Sequence, residues 1–533
     1  MIESMAMTER FFNNAGPTSC ADHYCLDPLQ RINVEDIESL IAQRRYFILH
    51  APRQTGKTTS LLALMHHLNA QGRYRCLYIN VEVAQSAREE VAAAMRLILD
   101  ELARNADLYL GEKTPAVIRD RLVGSGGLAG GLAELLGEWS RQNAKPIVLL
   151  VDEIDSLIGD SLIAVLRQLR AGYPKRPGAF PQTVILCGVR DVRDYRIHSA
   201  RSQEIITGGS AFNIKAESIR LGDFTEADVQ TLYQQHSAET GQPFTPEALQ
   251  RVWHWTQGQP WLVNAIGYQV TFRRKELRDR TRTIDAEAID QAAETLILRR
   301  DTHLDQLTDK LQEPRVRRVI APLLAGEDDP GHLPHDDVQY VYDLGLIRLD
   351  SQLAIANPIY REIIPRELIY TTSLTISEEP AWYLRPDGCL DMGKLLTAFQ
   401  IFFREHSEHW IERFHYKEAG PQLLLQAFLQ RIVNGGGRVE REYGLGRGRT
   451  DLLLRWPCGE DQMQNLVLEL KLLHKSLKTT LAEGLEQTFS YADRCSADEA
   501  HLIIFDRRER PWKDKIFQRE ETLNGRVIRV WGM

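Results

Sequence analysis

The sequence predicts an α/β fold divided among several domains, and three stretches carry that reading. Residues 45–52, RYFILHAP, form a strand-like apolar run that breaks at Pro52, after which TTSLLALMHHLN spaces its apolar residues at helical intervals. Residues 145–157, KPIVLLVDEIDSL, are an apolar run ending in paired acids, the mark of a buried parallel strand. Beyond about residue 400, segments of helical and strand periodicity follow one another in the order α-β-β-β-α-β, as a module of its own. A chain of 533 residues exceeds a single core, and domains of ~100–200 residues suggest three or four.

Between the first strand and its helix lies Ala51-Pro52-Arg53-Gln54-Thr55-Gly56-Lys57-Thr58-Thr59. Strand, loop and helix in this order are the setting of a phosphate-binding loop, in which backbone N–H groups and the helix N-terminus cradle ATP phosphates. Lys57 would reach the β/γ oxygens, and the Thr58 hydroxyl would ligate Mg2+. The pattern G-x-x-x-x-G-K-[ST] begins with glycine, and here that place holds Ala51. Alanine is tolerable there if its φ stays negative, whereas Gly56 must let the backbone approach phosphate.

The second strand delivers Asp152 and Glu153 to its C-terminal edge, where ligands sit in open α/β sheets. Asp152 would hold Mg2+ through water, and Glu153 would polarise the attacking water. A third strand, TVILCGVR at 183–190, runs into RDVRDYR. In P-loop ATPases with a strand inserted between the phosphate-loop strand and the acidic strand, this edge carries a γ-phosphate sensor. Arg190 is the choice here, with Arg193 and Arg196 as rivals and surface pairing with Asp191 and Asp194 as the plainer alternative.

HAPRQTGKTT, LLVDEID, CGVRDVRDY and TQGQPWLVNAIG at 256–267 together resemble the AAA-like ATPases of the STAND and archaeal-ATPase type, over roughly residues 8–370. The resemblance implies an ASCE core over 30–217 behind a lead segment 1–29. A helical lid over 218–300 would follow, whose Gly258-Gln259-Pro260 places Pro260 near the nucleotide. Alanine at the first loop position is common in that group. FTEADVQ opens the lid, with Thr225 and Asp228 spaced as a capping box. Over 301–372 a helix closing at Gly345, then IRLD and QLAIAN as a strand pair, is the layout of a winged helix. Its Asp336, Asp337 and Asp343 make a poor phosphate-contact surface, so the reading is structural relay over DNA reading.

A linker is expected over 373–400 and a further domain over 401–533. There FHYKEAGPQLLLQAFLQRIVNGGG reads as an amphipathic helix, RVEREYG, TDLLLRW and NLVLELKLL as strands, LKTTLAEGLEQTFSYADRC as a helix and HLIIFD as a strand. Asp451 opens the second strand, and Glu469 and Lys471, two apart on the third, share one face. With Glu418 at the head of the preceding helix and Gln487 and Tyr491 at i,i+4 on the later one, this resembles the PD-(D/E)XK nuclease fold. The resemblance implies Mg2+ on Asp451 and Glu469, Lys471 as the catalytic cation, Gln487 touching substrate or metal-bound water, and Glu418, Glu442 and Tyr491 as support. Arg438, Arg441, Arg447, Arg449, Lys471, Lys475 and Lys478 could line a groove for phosphates.

A net charge of −8 argues against a general nucleic-acid coat without excluding such a local groove. MIESMAMTERFFNN is polar, and the apolar runs fall short of the ~20 residues a membrane helix needs, so a cytoplasmic protein without membrane contact is expected. Seven scattered cysteines, including Cys20 and Cys25 around His23, read as reduced thiols rather than a zinc site. The reading as a whole is an ATP-binding and ATP-hydrolysing switch that controls a Mg2+-dependent nuclease. Its partner would be nucleic acid, DNA ahead of RNA, and a homo-oligomer or partner protein is open; association alone points to bacterial defence. The alternative is a nucleotide-dependent regulatory switch whose nuclease-like module only binds nucleic acid or protein.

Overall fold

The computed structural model describes residues 9–191, 196–198, 205–207, 212–299, 310–311, 313–325, 333–349, 353–364, 383–413, 425, 428–429, 438–442, 451–458, 462–473, 476–506, 508 and 510–533, some of them by backbone alone. The chain forms two compact units, Met1–His303 with Tyr342–Leu346, and Leu304–Val341 with Ile347–Met533.

The first unit is built on a five-stranded sheet. After helices α1 (Pro28–Arg31) and α2 (Val34–Ala42) come strand β1 (Tyr46–His50), helix α3 (Lys57–Gln71) and strand β2 (Arg75–Asn80). Helices α4 (Val91–Leu110), α5 (Thr114–Ser125) and α6 (Gly131–Gln142) lead to β3 (Ile147–Asp152), α7 (Gly159–Gly172) and β4 (Thr183–Gly188). A small ribbon, β5 (Arg196–His198) with β6 (Ile205–Thr207), precedes β7 (Lys215–Arg220). The order is β2-β3-β4-β1-β7, and every pairing within it is parallel. β4 thus stands between the phosphate-loop strand and the acidic strand. Because alternate residues of a strand point to opposite faces, Tyr46 and Ile48 join α4–α7 in one core, while Phe47 and Leu49 pack with α2 and α3 in the other. Both faces are covered, which is why β1, β3 and β4 are buried at every residue.

The lid consists of α8 (Glu226–Thr240), α9 (Pro246–Thr256), α10 (Pro260–Tyr268) and α11 (Ala286–Arg299). Its first helix starts at the expected capping box: Thr225 Oγ1 accepts from Asp228 N, and the Asp228 carboxylate accepts from Thr225 N. Gly258 has φ +78°, and a Cβ there would lie 1.9 Å from the Phe224 carbonyl oxygen, so only glycine fits.

After the lid, α12 (Pro314–Ala325), α13 (His335–Asp343, whose last two residues fall in the first unit) and the antiparallel pair β8 (Ile347–Leu349) and β9 (Leu353–Ile355) give the helix-and-wing layout. Asp337 is tied to Arg318 at 2.5 Å rather than offered to solvent. Helix α14 (Met392–Arg413) begins inside the stretch expected to be linker up to residue 400, because Leu395, Leu396, Phe399 and Phe403 form a buried helical stripe. The region read as the amphipathic helix 414–437 lies, but for residues 425, 428 and 429, outside the described residues.

A six-stranded sheet follows, in the order β10-β11-β12-β13-β15-β14. Its members are β10 (Arg438–Glu442), β11 (Asp451–Cys458), β12 (Gln462–Leu472), β13 (Glu499–Phe505), β14 (Phe517–Leu523) and β15 (Arg526–Gly532). The first three strands pair antiparallel, and α15 (Leu477–Arg494) makes the crossover to β13, which is parallel to β12. A terminal hairpin, β14–β15, extends this αβββαβ order along the edge. Sequence patterning had not separated that hairpin.

Two cysteine pairs differ from the expectation of reduced thiols. Cys20 and Cys25 are disulfide-bonded, as are Cys389 and Cys458, while Cys76, Cys187 and Cys495 are free. No helix among the described residues is long and apolar enough to cross a membrane.

Candidate functional site

β1 ends at His50, and Ala51 N donates to Gly188 O, which aims the chain into the loop. Ala51 is not among the residues of positive φ; that conformation falls to Gln54 (57°) and Gly56 (92°). The missing first glycine is therefore absorbed without strain. Ala51 and Pro52 are buried under the loop, whereas Arg53 is exposed. Thr55 Oγ1 donates to Pro52 O at 2.8 Å, and Lys57 Nζ donates to Ala51 O (3.0 Å) and Pro52 O (2.9 Å), so the ammonium folds back along its own loop.

The acids of β3 meet the helix at its start. Thr58 Oγ1 donates to Asp152 Oδ2 at 2.7 Å, the Tyr78 hydroxyl donates to the same oxygen at 3.1 Å, and Glu153 N donates to Asp152 Oδ1 at 2.9 Å. Tyr78 belongs to β2, and its role escaped the sequence reading; it stands two residues before Asn80, the register partner of Asp152. Glu153 adopts a left-handed φ of 55° that turns it off the strand. Burial raises its pKa, with the Lys57 charge opposing. A carboxylate so tuned takes a proton more readily than a solvated one.

A cavity of 330 Å3 opens over this loop. Gln54, Thr55, Gly56, Lys57, Thr58, Thr59, Glu153 and Pro260 line it; Ala51, Pro52, Arg53, Asp152 and Arg190 do not. Arg190 is half-buried just past β4, while Asp191 pairs with Lys215 at the start of β7. Arg193 lies outside the described residues, and Arg196 is described by its backbone alone, in β5.

The opposite wall was not anticipated. Residues 13–18, Tyr24, Cys25, Leu26 and Pro28 belong to the segment 1–29 read as a lead, yet they line the cavity with Arg31 and with Phe224, Trp261 and Asn264 of the lid. Gln235 accepts from Cys25 N (3.1 Å) and donates to Cys25 O (2.9 Å), as a neighbouring strand would. Trp261 Nε1 donates to Asn14 O, and Thr18 N donates to Thr59 Oγ1 at 3.0 Å on the phosphate-loop helix. The sequence signals for this wall, the turn-forming NNAGP and the Asp27–Pro28 helix start, say that a turn exists but not where it docks.

In the second unit Lys471 Nζ lies 2.5 Å from a Glu469 carboxylate oxygen, on a strand where Glu469 is fully buried. The register pairs Leu452 with Leu468, one residue inside Asp451 and Glu469, and Glu442 pairs with Asp451 across the β10–β11 hairpin. α15 packs on the face of β12 that holds Val467, with Tyr491 in the same core as Leu453 and Leu502. Gln487 on that helix has a buried Oε1 without a hydrogen bond among the described residues. The side chains of Asp451, Glu442, Arg438 and Arg441 lie outside the described residues, as do Glu418, Arg447, Arg449 and Lys475 altogether. Lys478 is exposed in the first turn of α15.

Residues 41–195 match the family of AAA domains. This part of the chain is a P-loop ATPase core of the AAA-like type. Among solved structures, a Walker-type ATPase of Pyrococcus abyssi is similar over 66% of this chain and 99% of its own, at 15% identity and a TM-score of 0.44. Cdc6p of Pyrobaculum aerophilum is similar over 64% and 93%, at 16% identity and 0.35. The RuvB Holliday junction branch migration motor of Thermotoga maritima is similar over 63% and 93%, at 11% identity and 0.33. No protein of curated function matches the chain. Within the ATPase core the β2-β3-β4-β1-β7 order puts the Thr58–Asp152–Glu153 constellation and the phosphate loop at one sheet edge.

Proposed function

We propose that the chain is an ATP-binding and ATP-hydrolysing switch whose C-terminal module is a Mg2+-dependent nuclease acting on DNA ahead of RNA. For ATP, the observation that carries the reading is the 2.7 Å bond between Thr58 Oγ1 and Asp152, with Glu153 on the same cavity. A hydroxyl and a carboxylate side by side are hard oxygen donors that suit Mg2+. Thr58 and Asp152 would hold such an ion, which would supply charge neutralisation for the phosphates. The remaining work belongs to the chain: Gly56 and Lys57 present N–H groups to phosphate, the Lys57 ammonium leaves its loop carbonyls for phosphate oxygens, and Glu153 takes the proton of the attacking water.

The nuclease reading rests on the Glu469–Lys471 pair in a sheet of αβββαβ order, with the Gln487 oxygen, unbonded among the described residues, on the helix that covers it. Asp451 and Glu469 would hold the metal, and Lys471 would stabilise charge on the phosphorane oxygens. Full burial of Glu469 favours one rival, an ion pair that only holds the sheet of a module that binds without cutting. Plasmid and RNA cleavage with and without Mg2+, for wild type and Lys471→Ala, decides between them. Mg2+-dependent cutting lost in the variant supports the nuclease, and binding without cutting supports the rival. Assays with ATP, ADP and a non-hydrolysable analogue test whether the ATPase governs cutting.

A further inference from the structure

Arg31 ends the short helix α1, and its guanidinium sits against the phosphate loop. Nη1 donates to the Thr55 carbonyl at 2.8 Å, and Nη2 donates to the Gly222 carbonyl at 2.9 Å. The guanidinium carbon lies 4.7 Å from the centre of the Phe224 ring. Burial brings the Arg31 pKa down to about 10, with Asp223 and Asp228 opposing, so the group is a cation throughout the physiological range. A Cβ on Gly56 would come within 2.7 Å of Nη1. Glycine is thus required at 56 twice over, for its φ of 92° and for the space Arg31 occupies.

The geometry points to Arg31 as a positioning residue for phosphate binding. In a trans peptide the C=O and N–H lie in one plane and point in opposite directions. Pinning the Thr55 oxygen to Arg31 therefore turns the Gly56 N–H the other way, out of the guanidinium and toward the cavity that Gly56 lines. A flipped peptide would offer phosphate a carbonyl lone pair instead of a donor, which repels where it should bind. Arg31 touches no phosphate in this scheme. Through Gly222 and Phe224 it also ties the loop to the residues that lead into the Thr225 cap of the lid. The inference rests on reading the cavity as the ATP site.

The test compares Arg31→Met, Arg31→Gln and Arg31→Lys with wild type and with Lys57→Ala in the full chain, by calorimetry with ATP and ADP and by steady-state ATPase kinetics. Loss of a charge-assisted bond should raise the Kd of Arg31→Met about 10- to 100-fold for ATP and ADP alike, since the loop peptide serves the phosphates common to both. KM should rise while kcat stays within about threefold, because Asp152 and Glu153 are untouched. Arg31→Lys, which keeps the charge but has no planar fork to bridge two carbonyls, should recover only part. Wild-type affinity in both Arg31→Met and Arg31→Lys overturns the assignment, as does a loss for ATP without a loss for ADP, which would make Arg31 a γ-phosphate contact. A fall in kcat at unchanged KM overturns it too. If Arg31→Met fails to fold, Arg31→Lys and Arg31→Gln carry the same criteria. Undiminished ATP binding by Lys57→Ala would instead show that the reading of the cavity is wrong.

Discussion

The two candidate sites are built in opposite ways. Around the first cavity, much of the polar geometry comes from one contiguous run, Ala51–Thr59, in which Thr55 and Lys57 bond the loop's own carbonyls. In the C-terminal module, the candidate residues are single positions on separate elements, Asp451 on β11, Glu469 and Lys471 on β12, Gln487 on α15. A contiguous loop carries its shape with it, so local sequence determines most of what it does. A dispersed set acquires its geometry only from sheet register and helix packing. Substitutions should therefore act locally in the first site and be coupled to folding in the second.

The largest effect that sharpens this contrast is Lys57→Ala. It removes the ammonium that spans Ala51 O and Pro52 O and would otherwise reach phosphate, and nucleotide binding should vanish in calorimetry. Unchanged melting without nucleotide would mark the effect as local. Asp451→Ala should abolish cleavage and leave the ATPase rate untouched. Glu469→Ala should do the same but also strip Lys471 of its partner at 2.5 Å, at a cost of about 3–5 kcal/mol in chemical denaturation. Wild-type stability there would break the contrast.

Next in size, Glu153→Gln should bind ATP normally and hydrolyse it about 10²–10⁴-fold more slowly. Burial raises the folded pKa of Glu153 above the ordinary carboxylate value, so the active carboxylate is lost as pH falls through that raised pKa. The acid limb of the ATPase pH profile should lie correspondingly high and be absent from Glu153→Gln. Lys471→Ala should slow cleavage about 10²–10³-fold.

A stability effect separates the units by pH. Burial would raise the Glu499 pKa, but bonds and charge from His501 and Arg385 win and bring it down to about 2. A depressed carboxylate stabilises the fold above its unfolded pKa of about 4.3 and loses that contribution as pH falls toward 2. Glu499→Gln should remove this acid sensitivity from the second unit. Smallest of all, Thr225→Ala should cost about 0.5–2 kcal/mol through loss of the α8 cap.

The same contrast explains what could be read from the sequence. The loop, the acid pair, the intervening strand and the Thr225 box are short-range patterns, and each appears at its place. Tyr78 and Arg31 are single polar residues whose meaning comes from what lies opposite them across the sheet or loop, 74 residues away for Tyr78 and Asp152. The lead segment 9–27 has almost no regular structure, so neither helical nor strand periodicity could reveal that it walls the cavity. In the second unit the start of α14 is hidden because an apolar run such as TAFQIFF at 397–403, near a boundary, does not announce which side of it it serves; here Phe399 and Phe403 belong to the core with Phe428 and Phe505.

The N-terminal segment is fastened mainly to the lid: Arg10 to Glu239, Asn14 to Trp261, Tyr24 to His236 and Cys25 to Gln235. Mechanically it is therefore luggage of the lid, carried wherever those helices turn. The seam between this joint body and the sheet is crossed at Thr18–Thr59 and at Arg31–Thr55. Any rotation of the lid against the sheet would have to carry this segment along and break those two bonds first.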